Sequence, residues 1–588
     1  MQLRMLDWAI IAVYLSVMMG VGLFFTKRAG KSVVQFFISG RSLPWWLAGT
    51  SLVATTFASD SPLQIVDFIR TDGISGNWFI WSSAIGTVFA AVCFSRMWWR
   101  ARILTSVELF ELRYGGRPAA FLRLLMAGYV ALIVNGLIMG WVIEGMATMC
   151  REAFGWPEVT SILILLGIAL VYSVLSGFWG VVMTDFLQFF MATCGSIMLA
   201  VCSVKYVGGM GALKDGIVEM TGDSSALNFF PGRGTHTITM FAFMVFIFVR
   251  WWGESQGDGY HAQRYFACRK EKDAVLAGLW FNVAEWCLNY WPWIVVGLAS
   301  IVVFPQMEKG QAAYPRMIVT VLPHGAMGFV VAAFIAAFMS TMDSHLNWGS
   351  SFMINDLYRR FIVRSASEKH YVLASRICMV LMAVYAGIIG LALRNIFQGW
   401  ALLMALGSGM FVVQLVRWFW WRVNAWAEIA ALAASIVCNL ILFKFDIFQG
   451  RDHFAHQLLV IVSTGTITWV ITMLLTPPED KKTLARFYNR VRPEFGFWGP
   501  VQDSADWQPR KGQFGAVIKL WLASVLFIYT TQFSIGKFIL GYPHQAVPAA
   551  GLAVISLIVV ARILRRQTWW NEDEEASVDE EEQLTEEA

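Results

Sequence analysis

The sequence predicts an all-α polytopic membrane protein, and three observations carry that expectation. Of its 588 residues, 57% are hydrophobic and only 14% charged, where a soluble protein carries about a quarter. Its apolar runs are about 20 residues long, the length that crosses a bilayer as a helix. Those runs rarely alternate with polar residues, which selects helices over a closed barrel, the other architecture that satisfies its backbone in lipid.

Fifteen candidate spans centre on residues 6–26, 44–70, 76–99, 121–146, 158–176, 179–204, 236–254, 271–304, 325–346, 370–393, 397–418, 424–444, 456–476, 516–534 and 544–563. The run from Leu6 to Phe25 is too long for a signal-peptide core and lacks a small-residue cleavage site, so it reads as a retained span. Lys27, Arg28, Lys31 and Arg41 follow the first span, and Arg96, Arg100, Arg102, Arg113 and Arg117 follow the third. Thr71 to Ser75, between the second and third, holds no basic residue, whereas Pro478 to Lys511 and the end of the last span (Arg562, Arg565, Arg566) are basic. The positive-inside rule then places the N-terminus outside a cell (plasma or inner) membrane and the C-terminus in the cytoplasm, as an odd span count requires.

The remaining composition excludes more than it selects. A net charge of +5 is spread between apolar runs and forms no nucleic-acid surface. Eight cysteines, among them Cys93, Cys194, Cys287 and Cys438, stand singly and read as small buried hydrophobes. Eight scattered histidines offer no ligand pair on a span, so no enzyme is expected. Trp98–Trp99 and Trp420–Trp421 sit beside arginines and read as interfacial belts. The stretch 571–588 is dense in Asp and Glu and reads as a disordered cytoplasmic tail.

Two spans break the pattern. In the second, Thr55-Thr56-Phe57-Ala58-Ser59-Asp60-Ser61-Pro62 places a proline and a carboxylate at mid-membrane, where a charge costs roughly 3 kcal/mol. In the seventh, FAFMVFIFVRWWG runs into Glu254-Ser255-Gln256-Gly257-Asp258-Gly259. A kink, or the end of a span, would explain either alone. Five spans separate them, and interrupted helices at matching places of two halves point to an inverted-repeat transporter with its site at the breaks.

In the ninth span, Ala333, Ala337, Thr341 and Ser344 share one stripe that lets another helix approach closely. Ser340 and Thr341 lie three and four residues after Ala337, which puts a carbonyl and two hydroxyls on one patch; that suits a hard monovalent cation, and equally hydroxyls that bond back to their own helix. Asp185, Asp343, Glu144 and Glu285 are further intramembrane acids that must face the interior and find partners.

With those residues in view, the chain resembles the sodium/solute symporters. The resemblance rests on GTSLVATTFAS at 49–59, SVELFELRYG at 106–115, YSVLSGFWGVVMTDFLQ at 172–188, AQRYFACRKEKDA at 262–274 and AAFMSTMDSHLNWGSS at 336–351, in that order over the first 420 residues. It implies a five-plus-five inverted-repeat core of the LeuT type with one extra N-terminal helix and about four extra C-terminal ones. The expected segments are 1–43 (extra helix and loop), 44–204 and 236–420 (the repeats), 205–235 (external loop), 421–570 (further helices, with a basic loop at 478–515) and the tail.

The resemblance further implies a sodium ion held by the carbonyls of Ala54, Phe57 and Ala337 and the hydroxyls of Ser340 and Thr341. Some members carry a second sodium site, which maps here to Asp185, Asp343 and Ser344. The chain departs from them in having a carboxylate at 343, which fits either a second sodium ion or a proton. Substrate motifs of proline-type and sugar-type members do not transfer, since this chain has Trp251-Trp252-Gly253-Glu254-Ser255 and Glu285 at those places. By position, Asp60, Ser61, Trp78, Trp251, Trp252, Ser255 and Glu285 should wall the solute cavity. The expected function is sodium-coupled import of a small organic solute (a sugar, amino acid or other metabolite) across the lipid bilayer by alternating access. A proton-coupled or mixed-ion symporter, a solute-sensing transceptor and a channel stand as alternatives.

Overall fold

Among the described residues, sixteen helices form the bundle, with shorter ones between them. They are α1 (Met5–Ala29), α2 (Trp45–Thr56), α3 (Asp60–Asp72), α4 (Ile74–Ala101), α5 (Gly116–Phe154), α6 (Glu158–Val207), α7 (Met240–Phe248) and α8 (Tyr260–Ala267). The rest are α9 (Glu271–Val303), α10 (Ala326–Ile362), α11 (Glu368–Ala392), α12 (Ile396–Val416), α13 (Ala425–Lys444), α14 (Phe454–Leu475), α15 (Gln513–Ile539) and α16 (Pro543–Arg565). This computed structural model describes residues 3–29, 32–233, 236–393, 395–448, 450–502, 505–509 and 512–567. Lys31 and the acidic stretch 571–588 lie outside them.

Among the described residues, twelve helices are long and apolar enough to cross a membrane. The other three of the fifteen predicted spans are interrupted. Two are α2/α3 and α7/α8. The third, Glu158–Val171, leads into the rest of α6 through Gly177, whose φ of 56° and ψ of −173° belong to a region only glycine occupies at little cost.

The first interruption is written in local chemistry. Phe57 leaves the helix with ψ at 81°, and α3 restarts at Asp60. Pro62 then falls in the first turn of α3, where a missing N–H costs nothing. The freed backbone is satisfied in place: Ala58 N–H donates to Thr56 O at 2.9 Å, and the Ser59 hydroxyl to Val142 O of α5 at 2.8 Å. At the second interruption α7 gives way to a 3-10 turn over Arg250–Glu254, and Gly257 (φ 59°) and Gly259 (φ 70°) bring the chain round into α8.

α10 runs through the centre. Nearly every residue from Met327 to Ser351 is buried, and α10 packs along both α6 and α2. A Cβ added at Gly195 of α6 would come within 2.9 Å of the Ala333 Cβ, so the small-residue stripe is where these helices meet. At the periphery α15 and α16 pack as a hairpin, and Val547, Val554 and Ile555 of α16 stand exposed. Apolar faces of that size are stable against lipid and not against water. The basic segment after α14 is folded: a helix over Lys481–Val491 is capped by Asp480, and Glu494 beyond it pairs with Arg96 of α4, which also pairs with Glu271.

Aromatic placement corrects one expectation. Trp98 is buried, with its indole donating to Gln256 O at 2.7 Å, and Trp81, Trp291, Trp293, Trp418 and Trp498 are likewise fully buried. Of the four tryptophans expected in belts, Trp98 therefore belongs to the bundle interior, whereas Trp99, Trp420 and Trp421 are partly exposed.

Gly177→Ala is expected to lower stability by about 1–3 kcal/mol, the cost of forcing a Cβ into that backbone region. Thermal unfolding in detergent, with Gly128→Ala as control because nothing lies within 4 Å of a Cβ there, measures the difference.

Candidate functional site

The two interruptions meet beside α10, where Thr56 Oγ1 of α2 and the Tyr260 hydroxyl of α8 lie 3.0 Å apart. Ser340 donates to Ala54 O at 2.8 Å and to Ala337 O at 3.0 Å. Thr341 donates to Thr55 O at 3.0 Å and to Ala337 O at 3.1 Å. The carbonyls of α2 are available because the helix stops at Thr56 and leaves its last carbonyls without helical partners. Ala54, Ala337, Ser340 and Thr341 are thus one hydrogen-bonded cluster, with Phe57 at its edge where α2 ends, and all five residues are buried.

One turn along α10 a second cluster is organised by a residue to which the sequence reading gave no role. Arg264, in α8, has no exposed surface. Its Nη2 donates to Thr55 Oγ1 at 3.0 Å and to Ser344 Oγ at 2.5 Å. Its Nε and Nη2 each lie 3.2 Å from Ser51 Oγ, and Nη2 stands 3.6 Å from Asp185 Oδ2. Ser51 in turn donates to Asp185 at 2.5 Å. Asp185 and Ser344, predicted to share an ion site, are therefore brought together around a guanidinium. Asp343, predicted with them, turns instead to Ser173 of α6. Arg264 lies inside the quoted motif at 262–274, but its sequence signal, an arginine beside a glutamine, does not say that it is buried.

A cavity of about 420 Å³ lies between the interruptions and α10, with Thr341 and His345 in its wall. Asp60 and Ser61 line it as expected. Asp60 Oδ2 accepts from the Trp400 indole at 3.1 Å, and Oδ1 has no partner among the described residues. Trp141, Trp286, Trp348, Trp400, Tyr260 and Tyr290 supply its aromatic surface. Three carboxylates, Asp60, Glu254 and Asp258, and one arginine, Arg250, face it. Arg250 donates to Ser83, and its guanidinium carbon lies 4.9 Å from the Phe79 ring centre.

The other five residues expected in the wall are not in it, for reasons of helical register. A π-helical turn at Ala284–Asn289 inserts one residue into α9. Phe281, Trp286 and Tyr290 face the cavity, while Glu285 turns aside to accept from Asn289 at 2.9 Å. The 3-10 turn at Arg250–Glu254 brings Arg250, Gly253 and Glu254 to the cavity. Trp251 packs instead on Trp521 (5.7 Å between centres), and the Trp252 carbonyl accepts from Ser255 at 2.7 Å. Trp78 is buried away from the cavity, donating to Phe229 O at 2.7 Å and packing on Phe243 and Tyr529.

Comparison with known proteins follows the same lines. Residues 36–437 match the Sodium:solute symporter family. The chain is 25% identical over 512 residues to a Sodium/glucose cotransporter of Vibrio parahaemolyticus, covering 81% of this chain and 92% of that one. It is 26% identical over 546 residues to a Sodium/myo-inositol cotransporter of Mus musculus, covering 81% and 74%. Among solved structures, a Na+-coupled sialic acid symporter in a substrate-bound outward-open state superposes with a TM-score of 0.68 at 20% identity, covering 81% of this chain and 99% of that one. That likeness shows the fold, which is of the LeuT type.

Breaking a buried ion pair on one side leaves an uncompensated charge and costs about 3–5 kcal/mol. Arg264→Gln and Asp185→Asn are each expected to lower the unfolding midpoint strongly, and the double variant to recover most of the loss. Additive losses in thermal unfolding would show that the two side chains do not act as a pair.

Proposed function

Since the chain belongs to the sodium:solute symporter family, and is therefore a multi-pass membrane transporter and not an enzyme, we propose that it couples the entry of one small organic solute to sodium moving down its gradient. The observation that carries this reading is the cluster joining the end of α2 to α10. Sodium prefers a cage of hard oxygens, and the carbonyls of Ala54, Phe57 and Ala337 with the hydroxyls of Ser340 and Thr341 would supply one. An ion there would replace hydroxyl-to-carbonyl hydrogen bonds by ion–oxygen contacts that draw α2 and α10 to the same centre. Solute would bind next to it, because Thr341 also lines the cavity. In this reading 44–204 and 236–420 are the two repeats, which exchange access to the cavity between the two sides, with the N-terminus outside.

The cavity wall favours a class of solute. Three carboxylates against one arginine, itself bonded to Ser83, make it a poor host for an anion. The aromatic rings suit an apolar or cationic body. A zwitterionic or cationic solute fits that wall best. The sugar and polyol names of the relatives make neutral polyols the comparison to run. Thermal shift of the purified protein against glucose, myo-inositol, proline, choline and sialic acid, in sodium and in potassium, ranks the classes.

Sodium-dependent uptake of the best ligand into proteoliposomes tests the coupling. Ser340→Ala and Thr341→Ala should each raise the sodium concentration for half-maximal uptake on the order of tenfold, equivalent to about 1.4 kcal/mol. Alanine keeps the helix, so expression should hold. Unchanged sodium dependence in both variants would remove the assignment.

A further inference from the structure

Aromatic rings close one end of the cavity. Phe79 and Trp400 line it and stack nearly parallel, 6.3 Å between centres. Behind them, Phe68 of α3 and Phe454 of α14 lie 5.3 Å and 5.2 Å from Phe79, and Phe397 of α12 lies 6.3 Å from Phe68. Phe68 and Phe454 are buried, and among the described residues no part of α3 beyond Ile65 lines the cavity. In the other direction the cavity runs along α5 and α12 as far as Met126 and Gln414, and Glu254 in its wall is exposed. The space therefore opens away from the C-terminal end of α3.

Charged groups cover the outer side of those rings. Arg451 stands in a 3-10 turn, Arg451–His453, that leads into α14. Its guanidinium carbon lies 4.5 Å from the Phe68 ring centre and 5.7 Å from that of Phe397. Nη1 lies 3.1 Å from Asp67 Oδ2 and donates to Thr71 Oγ1 at 3.1 Å, and Nη2 lies 2.8 Å from Asp72 Oδ2. Asp67, Phe68, Thr71 and Asp72 all belong to α3, so one arginine grips the last two turns of that helix. Arg70, a second cation at this end, is turned to α9 instead, donating to Ser300 O at 2.6 Å and Phe304 O at 2.8 Å.

The place and the strength of this contact suit a movable part. α3 restarts after the first interruption and carries Asp60, Ser61 and Ile65 of the cavity wall, whereas α14 lies beyond residues 236–420. The side chains of Arg451, Asp67 and Asp72 keep 24%, 20% and 22% of their surface exposed, so water can replace each partner. Ion pairs of that kind are individually weak, and they break and re-form readily. The rings beneath hold one another by apolar contact alone. Drawing α3 away from α14 would part Phe68 from Phe397 and break both ion pairs in the same step.

We propose that Arg451 is a latch. Its grip on Asp67 and Asp72 holds α3 against the start of α14 and keeps this end of the cavity shut, and its release opens the cavity there. The proposal rests on the reading above only in taking the cavity for the solute path.

Thiol labelling from the two faces of the membrane tests it. Ile80, in the cavity wall, is replaced by cysteine. A membrane-impermeant thiol reagent is applied to intact cells and, separately, to inside-out vesicles, and labelling is read at each cysteine by mass spectrometry. All runs are in potassium without solute, so a failure of sodium coupling would leave the result untouched. The cysteine should be protected from one face and labelled from the other. Arg451→Gln should raise the rate from the protected face about tenfold, equivalent to about 1.4 kcal/mol. Asp67→Asn with Asp72→Asn should give the same gain, and combining all three no more; this carboxylate pair also serves where the arginine variant does not fold. An unchanged rate from the protected face, or additive gains, would overturn the latch. So would an equal rise at the native Cys287, which is buried outside the cavity wall, because that shows a loosened fold and not an opened path.

Discussion

Burying the guanidinium of Arg264 removes a charge from water at a cost that only several well-placed acceptors can offset. The chain supplies them from elements far apart in sequence: Ser51 and Thr55 on α2, Asp185 on α6 and Ser344 on α10. The arginine is carried by α8, the helix that restarts after the second interruption. So one side chain fixes the position of the second broken helix against the first, and of both against α10. Gln263 beside it adds bonds to Phe37 O and Asn347, both at 2.9 Å. With that centre fixed, the interruptions can leave backbone groups unpaired by their own helices without exposing them to lipid.

Much of this was legible in the sequence, because the strongest signals were violations of membrane composition. A proline and an aspartate inside an apolar run announce an interrupted helix whatever surrounds them, and the restart at Asp60 follows from the tolerance of a first turn for Pro62. The stripe through Ala337 and Thr341 could be read from helical spacing alone. The cavity wall was less legible, for a definable reason. It depends on helical register, and register shifts wherever a π or 3-10 turn intervenes. One extra residue at Ala284–Asn289 exchanges Glu285 for Trp286, and no propensity in that stretch marks the insertion. Arg264 was missed differently. Its neighbours come from α2, α6 and α10, and only tertiary structure assembles them.

The π-helical stretches among the described residues, in α4 (Ala90–Phe94), α5 (Tyr129–Val134), α9 (Ala284–Asn289) and α10 (Phe352–Ile362), interrupt helices that line the cavity, and Tyr129, Val130, Val134 and Trp286 belong to its wall. A π turn loosens the i to i−4 ladder and re-aims the side chains beyond it, which suits a wall that must present particular rings. It also gives these helices a place to bend without a proline, inside a bundle otherwise held by close contacts such as Gly145, where an added Cβ would come 2.9 Å from the Asp60 backbone.

The Ser340 and Thr341 hydrogen bonds bear on how an ion could influence shape. They join α10 to the carbonyl end of α2 through two hydroxyl donors, each shared between a carbonyl of α2 and Ala337 O. A shared donor forms weaker bonds than a dedicated one, so the contact between the helices is held by several modest interactions instead of one strong one. A cation accepting the same oxygens would strengthen that contact, and would do so only in conformations that keep α2 and α10 at their present separation. Differential affinity of that kind is what allows a ligand to shift a conformational equilibrium. Because Thr341 and His345 also stand in the cavity wall, a change in that separation alters the surface a solute meets, and coupling between ion and solute needs no longer path than one turn of α10.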